Sequence, residues 1–124
     1  MQSLSKQKIL GIRRENKNKW ERRVALTPEA VKILVDSGLK VIIQPCNLRC
    51  YTNKQYTDVG AEIEENIQRA DVIFGVKEIP LDFLYPDKTF IFFSHTFKGQ
   101  IANMPALRDI LEKNIRLIDY ELIK

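Results

Sequence analysis

The chain has 124 residues, of which 44% are hydrophobic and 29% are charged, and its formal net charge is +4. This length is that of one ordinary domain, and the composition is typical of a globular protein rather than a disordered or fibrous one. No apolar run reaches the ~20 residues that span a bilayer, and the first residues lack the pattern of a signal peptide. We therefore predict a single intracellular domain over residues 1–124, without a membrane partner.

The positive charge is concentrated near the beginning of the chain. The basic residues there are Lys6, Lys8, Arg13, Arg14, Lys17, Lys19, Arg22 and Arg23. Such a cluster is compatible with nucleic acid, a membrane surface or a small anionic substrate as the partner. Because neither a basic helix face nor a series of aromatic platforms accompanies it, we do not expect nucleic acid to be bound.

Cys46 and Cys50 are the two cysteines of the chain. Two cysteines so close in sequence do not indicate a disulfide framework. A zinc site needs four ligands, and the one distant histidine does not complete the set. We predict two reduced thiols and no metal site.

Strand-like and helix-like segments alternate along the chain. The predicted strands are short runs rich in Ile, Val or Phe, at Lys8–Ile12, Lys40–Gln44, Asp71–Val76, Thr89–Phe93 and Ile115–Ile118. The first predicted helix begins at Pro28, after the N-cap signal of Thr27, and is closed by Ser37-Gly38. Three further helices are predicted over Tyr51–Val59, Glu62–Ala70 and Lys98–Lys113. This alternation predicts an α/β fold with a doubly wound, mainly parallel sheet and helices on both faces, similar to Rossmann and flavodoxin folds.

The glycines are too far apart for a nucleotide-binding turn. They are Gly11, Gly38, Gly60, Gly75 and Gly99, and they form neither a G-x-G-x-x-G turn nor a P-loop. We therefore expect no cofactor to be bound by this chain itself.

Two residues that can exchange protons follow predicted strands. Lys77 comes after the strand that ends at Val76, and His95 follows the one that ends at Phe93. Open α/β sheets build their sites at the carboxyl ends of parallel strands, so both are candidate acid–base groups. Each also has an ordinary structural interpretation: Lys77 as a surface partner of Glu78, and His95 as a helix cap or core residue.

Further candidate binding residues lie in three other places. Arg22 or Arg23, in the loop after the first strand, can clamp a carboxylate through two parallel hydrogen bonds. The alternative is a solvated loop whose charges pair with Glu15 and Glu21. Lys98 shares a helical face with His95 if that helix begins early. Asp119 or Glu121, at the end of the last strand, can hold a cationic group, although a plain strand end explains them equally well.

The order of these motifs along the chain resembles a known enzyme family. The motifs are Trp20-Glu21-Arg22-Arg23-Val24-Ala25-Leu26-Thr27-Pro28, Gly75-Val76-Lys77-Glu78, Phe93-Ser94-His95-Thr96-Phe97-Lys98 and Arg116-Leu117-Ile118-Asp119-Tyr120-Glu121. Together they closely resemble lysine–2-oxoglutarate reductase, the amino-terminal half of bifunctional α-aminoadipic semialdehyde synthases. The wider group contains saccharopine dehydrogenases, alanine dehydrogenases and a domain of nicotinamide nucleotide transhydrogenase.

The resemblance implies a substrate-binding lobe that faces a separate Rossmann domain. In that arrangement Lys77 and His95 are the acid–base pair, Arg23 binds a substrate carboxylate, and Lys98 is an auxiliary cation. Arg22 and Glu121 stay candidate binding residues on the sequence pattern alone. The implied substrates are lysine, 2-oxoglutarate and saccharopine. NADPH or NADH would be held by the nucleotide domain, which is absent from this chain.

Several alternatives stay open at this point. The chain also matches the loop pattern of alanine dehydrogenases through Glu21 to Pro28, so a lobe of alanine dehydrogenase or transhydrogenase type is the competing enzyme interpretation. A third is a stand-alone, non-catalytic domain that binds dicarboxylates. We expect the chain to be a segment of a longer protein in the mitochondrial matrix or cytoplasm, with a homo-oligomer left open.

Overall fold

The computed structural model describes residues 8–15, 22–77, 79, 83–92, 108 and 112–119. In these residues the elements are β1 (Ile9–Ile12), α1 (Pro28–Asp36), β2 (Lys40–Ile43), α2 (Asn53–Thr57), β3 (Glu62–Ile63), β4 (Val72–Phe74), β5 (Thr89–Phe92) and β6 (Arg116–Asp119). Every predicted strand is present, and its observed bounds lie within one or two residues of the predicted ones.

The described strands form one parallel sheet in the order β3-β2-β1-β4-β5-β6. This is the strand order of a doubly wound dinucleotide-binding sheet. The chain builds outward from β1 to β3, then returns to the other side of β1 to form β4. The predicted α/β class with a doubly wound parallel sheet is confirmed.

Alternate residues of the central strands supply two cores, one on each face of the sheet. Leu10 and Ile12 of β1 pack with Val31 of α1 and Tyr56 of α2. The opposite face contains a second buried cluster: Ile42, Ile67, Ala70, Ile73, Ile79, Leu84, Phe90 and Phe92. Burial on both faces explains why the strands read as continuous apolar runs.

Local capping fixes the starts of α1 and α2. The Thr27 side chain accepts a hydrogen bond of 3.2 Å from the backbone nitrogen of Ala30, with Pro28 in the first turn. Helix α2 begins with a capping box, in which the Thr52 side chain and the Gln55 side chain each accept the other's backbone N–H. These caps confirm the predicted starts near Thr27 and Tyr51.

The predicted helix over Glu62–Ala70 is wrong, because Glu62 and Ile63 form strand β3 beside β2. The four-residue spacing of Ile63 and Ile67 indicated one helical face. In the structure Ile63 packs in the cluster around Tyr56, and Ile67 is buried in the cluster on the other side of the sheet. A helix would have placed both side chains on the same side.

The predicted helix over Lys98–Lys113 lies largely outside the described residues. Within it, Arg108, Glu112 and Lys113 are described; the first two are helical, and Lys113 lies in a turn. None of the helices in the described parts of the chain has the length and apolar character needed to cross a membrane. Cys46 and Cys50 do not form a disulfide.

Candidate functional site

The direction of chain winding reverses between β1 and β4, which lie side by side in the sheet. Ile12 pairs with Phe74 at their carboxyl ends, and the backbone nitrogen of Arg13 lies 3.1 Å from the carbonyl oxygen of Phe74. Ligands of open α/β sheets bind in the crevice outside such a reversal. We therefore expect a ligand site among the residues that follow Ile12 and Phe74.

Glu15 connects the two strand ends across this reversal. One carboxylate oxygen, Oε1, accepts a hydrogen bond of 2.7 Å from the backbone N–H of Lys77, and Oε2 accepts one of 3.0 Å from Val76. Hydrogen bonds to an ionised acceptor are stronger than neutral ones. The segment that carries Lys77 is thus attached to the loop that follows β1.

Arg13, two residues before Glu15 in the same segment, is buried, with 5% of its surface exposed. Its guanidinium lies 5.9 Å from the ring centroid of Phe83. A Cβ added at Gly75 would lie 3.3 Å from the Arg13 Cδ, so the arginine stem and the end of β4 are in close contact. Burial lowers the pKa of Arg13, and the negative charge of Glu15 acts in the opposite direction.

An open cavity of about 520 Å³ lies at this edge of the sheet. It is lined by Arg23, Val24, Ala25, Thr27, Cys50, Tyr51 and Val76. The cavity places the charged side chain of Arg23 among mainly apolar neighbours and beside the strand end that bears Lys77. A second cavity, of about 450 Å³, is lined by Lys88 and Arg116 at the amino ends of β5 and β6, the edge where such sheets do not build sites.

The two candidate arginines have different surroundings. Arg22 donates a hydrogen bond of 3.2 Å to the carbonyl oxygen of Leu48 and accepts one of 2.9 Å from the backbone of Cys50 at its own carbonyl. These bonds attach it to the loop between β2 and α2. Arg23, the next residue, lines the cavity instead. Both side chains are exposed.

The cavity wall formed by Cys50 and Tyr51 is supported from behind by Arg49 and Tyr56. Buried Arg49 donates hydrogen bonds of 2.8 Å to the carbonyl oxygen of Gln44 and 2.7 Å to the side chain of Asn53. Its guanidinium lies 5.0 Å from the ring centroid of Tyr56. Tyr51 meets Tyr56 edge to face, with ring centroids 6.3 Å apart.

A further polar group ties the ends of β1, β2 and β3 together. The Gln44 side chain accepts a 3.0 Å hydrogen bond from the backbone of Arg14 and donates one of 2.8 Å to the carbonyl oxygen of Glu65. The Arg14 guanidinium pairs with both carboxylate oxygens of Glu65, and this hydrogen bonding lowers the pKa of Glu65. Through these contacts Arg14 helps to hold the strand ends together, and it does not line the cavity.

Of the predicted site residues, the structure describes Arg22, Arg23 and Lys77. Arg23 lines the cavity, and partly exposed Lys77 directly follows the lining residue Val76. His95, Lys98 and Glu121 lie outside the described residues, so their predicted roles stay predictions.

The described residues at the end of β1 lack the features of a dinucleotide-binding turn. The turn after β1 reads Arg13-Arg14-Glu15, without the glycines that let a backbone approach a pyrophosphate, and the Glu15 carboxylate occupies the adjacent backbone N–H groups. Within the described ranges no three His, Cys, Asp or Glu side chains gather as metal ligands.

Sequence reasoning missed the roles of Glu15, Arg49 and Tyr56. Glu15 was interpreted as a charge partner within the basic loop, whereas its carboxylate binds the backbone after β4. Its position, three residues beyond the central strand, was the available signal. Tyr56 gave no such signal, because the carbonyl group that its hydroxyl contacts, that of Leu26, is 30 residues away in the chain. Arg49 gave none, because the fold of the segment between β2 and α2 brings it to Gln44 and Asn53.

Comparisons with known proteins find related sequences. The chain is 49% identical over 113 residues to alpha-aminoadipic semialdehyde synthase, mitochondrial, of Bos taurus, covering 91% of this chain and 12% of that protein. The synthase of Arabidopsis thaliana is 39% identical, with 93% and 11% covered. Alanine dehydrogenase of Bacillus subtilis is 32% identical, with 93% and 31% covered. The chain thus spans only a small part of these relatives.

Solved structures share the fold. The transhydrogenase from Sinorhizobium meliloti superimposes with a TM-score of 0.81 at 20% identity, covering 94% of this chain and 36% of that one. An L-alanine dehydrogenase gives 0.78 at 23% identity, with 91% and 32% covered. The profile of the family "Alanine dehydrogenase/PNT, N-terminal domain" matches residues 11–124. The chain belongs to this family.

Proposed function

We propose that this chain is the substrate-binding lobe of a saccharopine-forming lysine–2-oxoglutarate reductase. The observation that carries the proposal is that Arg23 lines a cavity beside Val76, at the strand end that bears Lys77. The high identity to alpha-aminoadipic semialdehyde synthases supports this branch of the family over alanine dehydrogenase, whose identity to the chain is lower.

The cavity suits substrates that combine carboxylates with methylene chains. Lysine, 2-oxoglutarate and saccharopine all have this character. Arg23 would bind a carboxylate by a charge-assisted, two-pronged contact, which the planar guanidinium favours. Val24, Tyr51 and Val76 would contact the methylene groups. Arg22 would contribute positive charge from the cavity margin.

The reaction needs proton transfers that a lysine and a histidine can perform. The neutral ε-amine of lysine forms a bond to the keto carbon of 2-oxoglutarate, and the resulting carbinolamine loses water to give an imine. We assign removal of the amine proton and protonation of the departing hydroxyl to Lys77 and His95 as a pair. Lys98 would add positive charge, and Glu121 would hold the cationic group of the amino acid.

The imine is reduced by hydride from NADPH or NADH, which would be bound by a separate nucleotide domain. The glycine-free turn after β1 supports this division of labour. We therefore propose that the functional enzyme contains this lobe and a Rossmann domain. The mitochondrial designation of the cattle and rat relatives supports the mitochondrial matrix as its compartment, with the cytoplasm as the alternative.

The test is an assay of the protein expressed from the complete open reading frame. We expect oxidation of reduced nicotinamide that depends on both lysine and 2-oxoglutarate, with saccharopine as the product. Turnover with pyruvate plus ammonia and none with lysine would favour alanine dehydrogenase chemistry instead. Calorimetric binding of 2-oxoglutarate without any turnover would favour a non-catalytic dicarboxylate-binding domain.

A further inference from the structure

We infer that Glu15 is a positioning residue for Lys77, an inference that rests on the acid–base role proposed for that lysine. Its carboxylate supplies one oxygen to each of two consecutive backbone N–H groups, at 2.7 Å from Lys77 and 3.0 Å from Val76. The two bonds together fix both the position and the orientation of the peptide that carries Lys77.

The support is needed because the ladder of the sheet has ended at this point. The backbone of Gly75 still donates a 2.9 Å hydrogen bond to the carbonyl oxygen of Ile91 in β5. The next two N–H groups, of Val76 and Lys77, are met by the Glu15 carboxylate rather than by a strand. A displacement of ~1 Å in a reacting group can cost about 10²-fold in rate, so a single side chain that fixes this segment affects catalysis.

The surroundings of Glu15 also raise a competing interpretation, in which it serves only to balance the buried charge of Arg13. Burial lowers the pKa of Arg13, and Glu15 is the largest opposing influence. If Glu15 served only as a counterion, it would matter for folding but would not affect the rate of the chemistry at Lys77. The bonds to Val76 and Lys77 predict instead that the effect of Glu15 on rate passes through Lys77.

Two substitutions separate charge from geometry. In Glu15→Gln the amide oxygen can accept one N–H, but the amide nitrogen is a donor and would face the second N–H. Glu15→Asp keeps the carboxylate but withdraws it by one methylene group. The matched control is Glu64→Gln, because the Glu64 carboxylate pairs with Arg69 at the surface, away from the cavity.

The experiment is a double-mutant cycle in the protein expressed from the complete reading frame, with lysine, 2-oxoglutarate and reduced nicotinamide as substrates. We expect Glu15→Gln to lower kcat by about 10–100-fold. The KM of each substrate should change by less than about 3-fold, because a positioning residue does not bind substrate. In a Lys77→Met background the same substitution should change the residual rate by less than about 3-fold. Glu15→Asp should recover part of the loss, and Glu64→Gln should match the parent.

The outcomes distinguish this inference from the proposed function. If Lys77→Met cripples turnover and Glu15→Gln costs the same factor in both backgrounds, the positioning role is overturned while the acid–base assignment stands. If Lys77→Met leaves turnover unchanged, the acid–base assignment fails and the positioning role fails with it. Should Glu15→Gln not yield folded protein, Glu15→Asp replaces it in the same cycle, and additive losses would again overturn the positioning role.

Discussion

The hydroxyl of Tyr56 donates a 2.8 Å hydrogen bond to the carbonyl oxygen of Leu26. Tyr56 belongs to α2 and is buried, whereas Leu26 lies in the segment that leads into α1. The bond therefore joins the cavity wall that contains Tyr51 to the segment that begins at Arg23. One buried hydroxyl thus helps to hold the two sides of the cavity at a fixed distance.

Tyr56→Phe should destabilise the protein by about 1–3 kcal/mol at neutral pH, because the Leu26 carbonyl loses its donor. Burial raises the pKa of the Tyr56 hydroxyl from 10.0 to about 12. The unfolded chain releases this proton first as the pH rises, so its stabilising contribution is present below about pH 10 and is lost between about pH 10 and 12. Urea unfolding at several alkaline pH values should show the gap between the parent and Tyr56→Phe closing; a constant gap would contradict this assignment.

Gly11→Ala should destabilise the fold by about 1–3 kcal/mol through overpacking. A Cβ at Gly11 would lie 2.9 Å from the Cβ of Ala70, which is a fixed atom of the segment that crosses beneath β1. Ala70→Gly removes the opposing methyl group, so the double variant should lose less stability than the two single losses combined. Denaturant midpoints of the four proteins measure this coupling, and strict additivity would show that the two methyl groups do not meet.

Arg23→Gln should raise the KM of a carboxylate substrate by about 10–100-fold, the range expected for one charge-assisted contact. Arg23→Lys should recover only part of the affinity, because an ammonium lacks the two-pronged geometry of guanidinium. Arg22→Gln should have the smaller effect, since Arg22 already donates to the Leu48 carbonyl. Arg69→Gln, which breaks a surface ion pair, is the control. Steady-state kinetics with each substrate varied in turn measure the KM. An unchanged KM in Arg23→Gln would show that the assignment is wrong.

Lys77→Met and His95→Gln should each reduce kcat by about 10²–10⁴-fold if the two residues form the acid–base pair. Lys77→Met should leave the thermal unfolding midpoint nearly unchanged, because Lys77 is partly exposed and its backbone bond to Glu15 persists. Each single variant should also lose one limb of the pH–rate profile. A profile of unchanged shape in both variants would remove the pair from the mechanism.

Much of the fold could be predicted because local signals and long-range packing agree. The run Val72–Phe74 is apolar on both faces of the sheet and was recognised as a strand for that reason. The spacing of Ile63 and Ile67 led to a wrong helix prediction, because residues four apart share one face of a helix. In the structure the chain passes from one face of the sheet to the other between them. Arg23 and Lys77 could be proposed as site residues from the sequence because the chemistry of a guanidinium or an amine is evident from the residue type alone. Glu15 escaped because its partners are backbone groups that become neighbours only when β1 and β4 pair.

The central place of β1 has a consequence for how the protein is made. Leu10 pairs with Val41 on one side and with Val72 on the other. The first described strand, β1, can therefore complete its pairing only when much later parts of the chain are available. Parallel pairings between distant residues are slow to form, and an incomplete strand edge is a template for association with other chains. On a ribosome, the nascent polypeptide therefore exposes this edge until residues near Val72 have emerged, and that interval is when aggregation competes most strongly with folding.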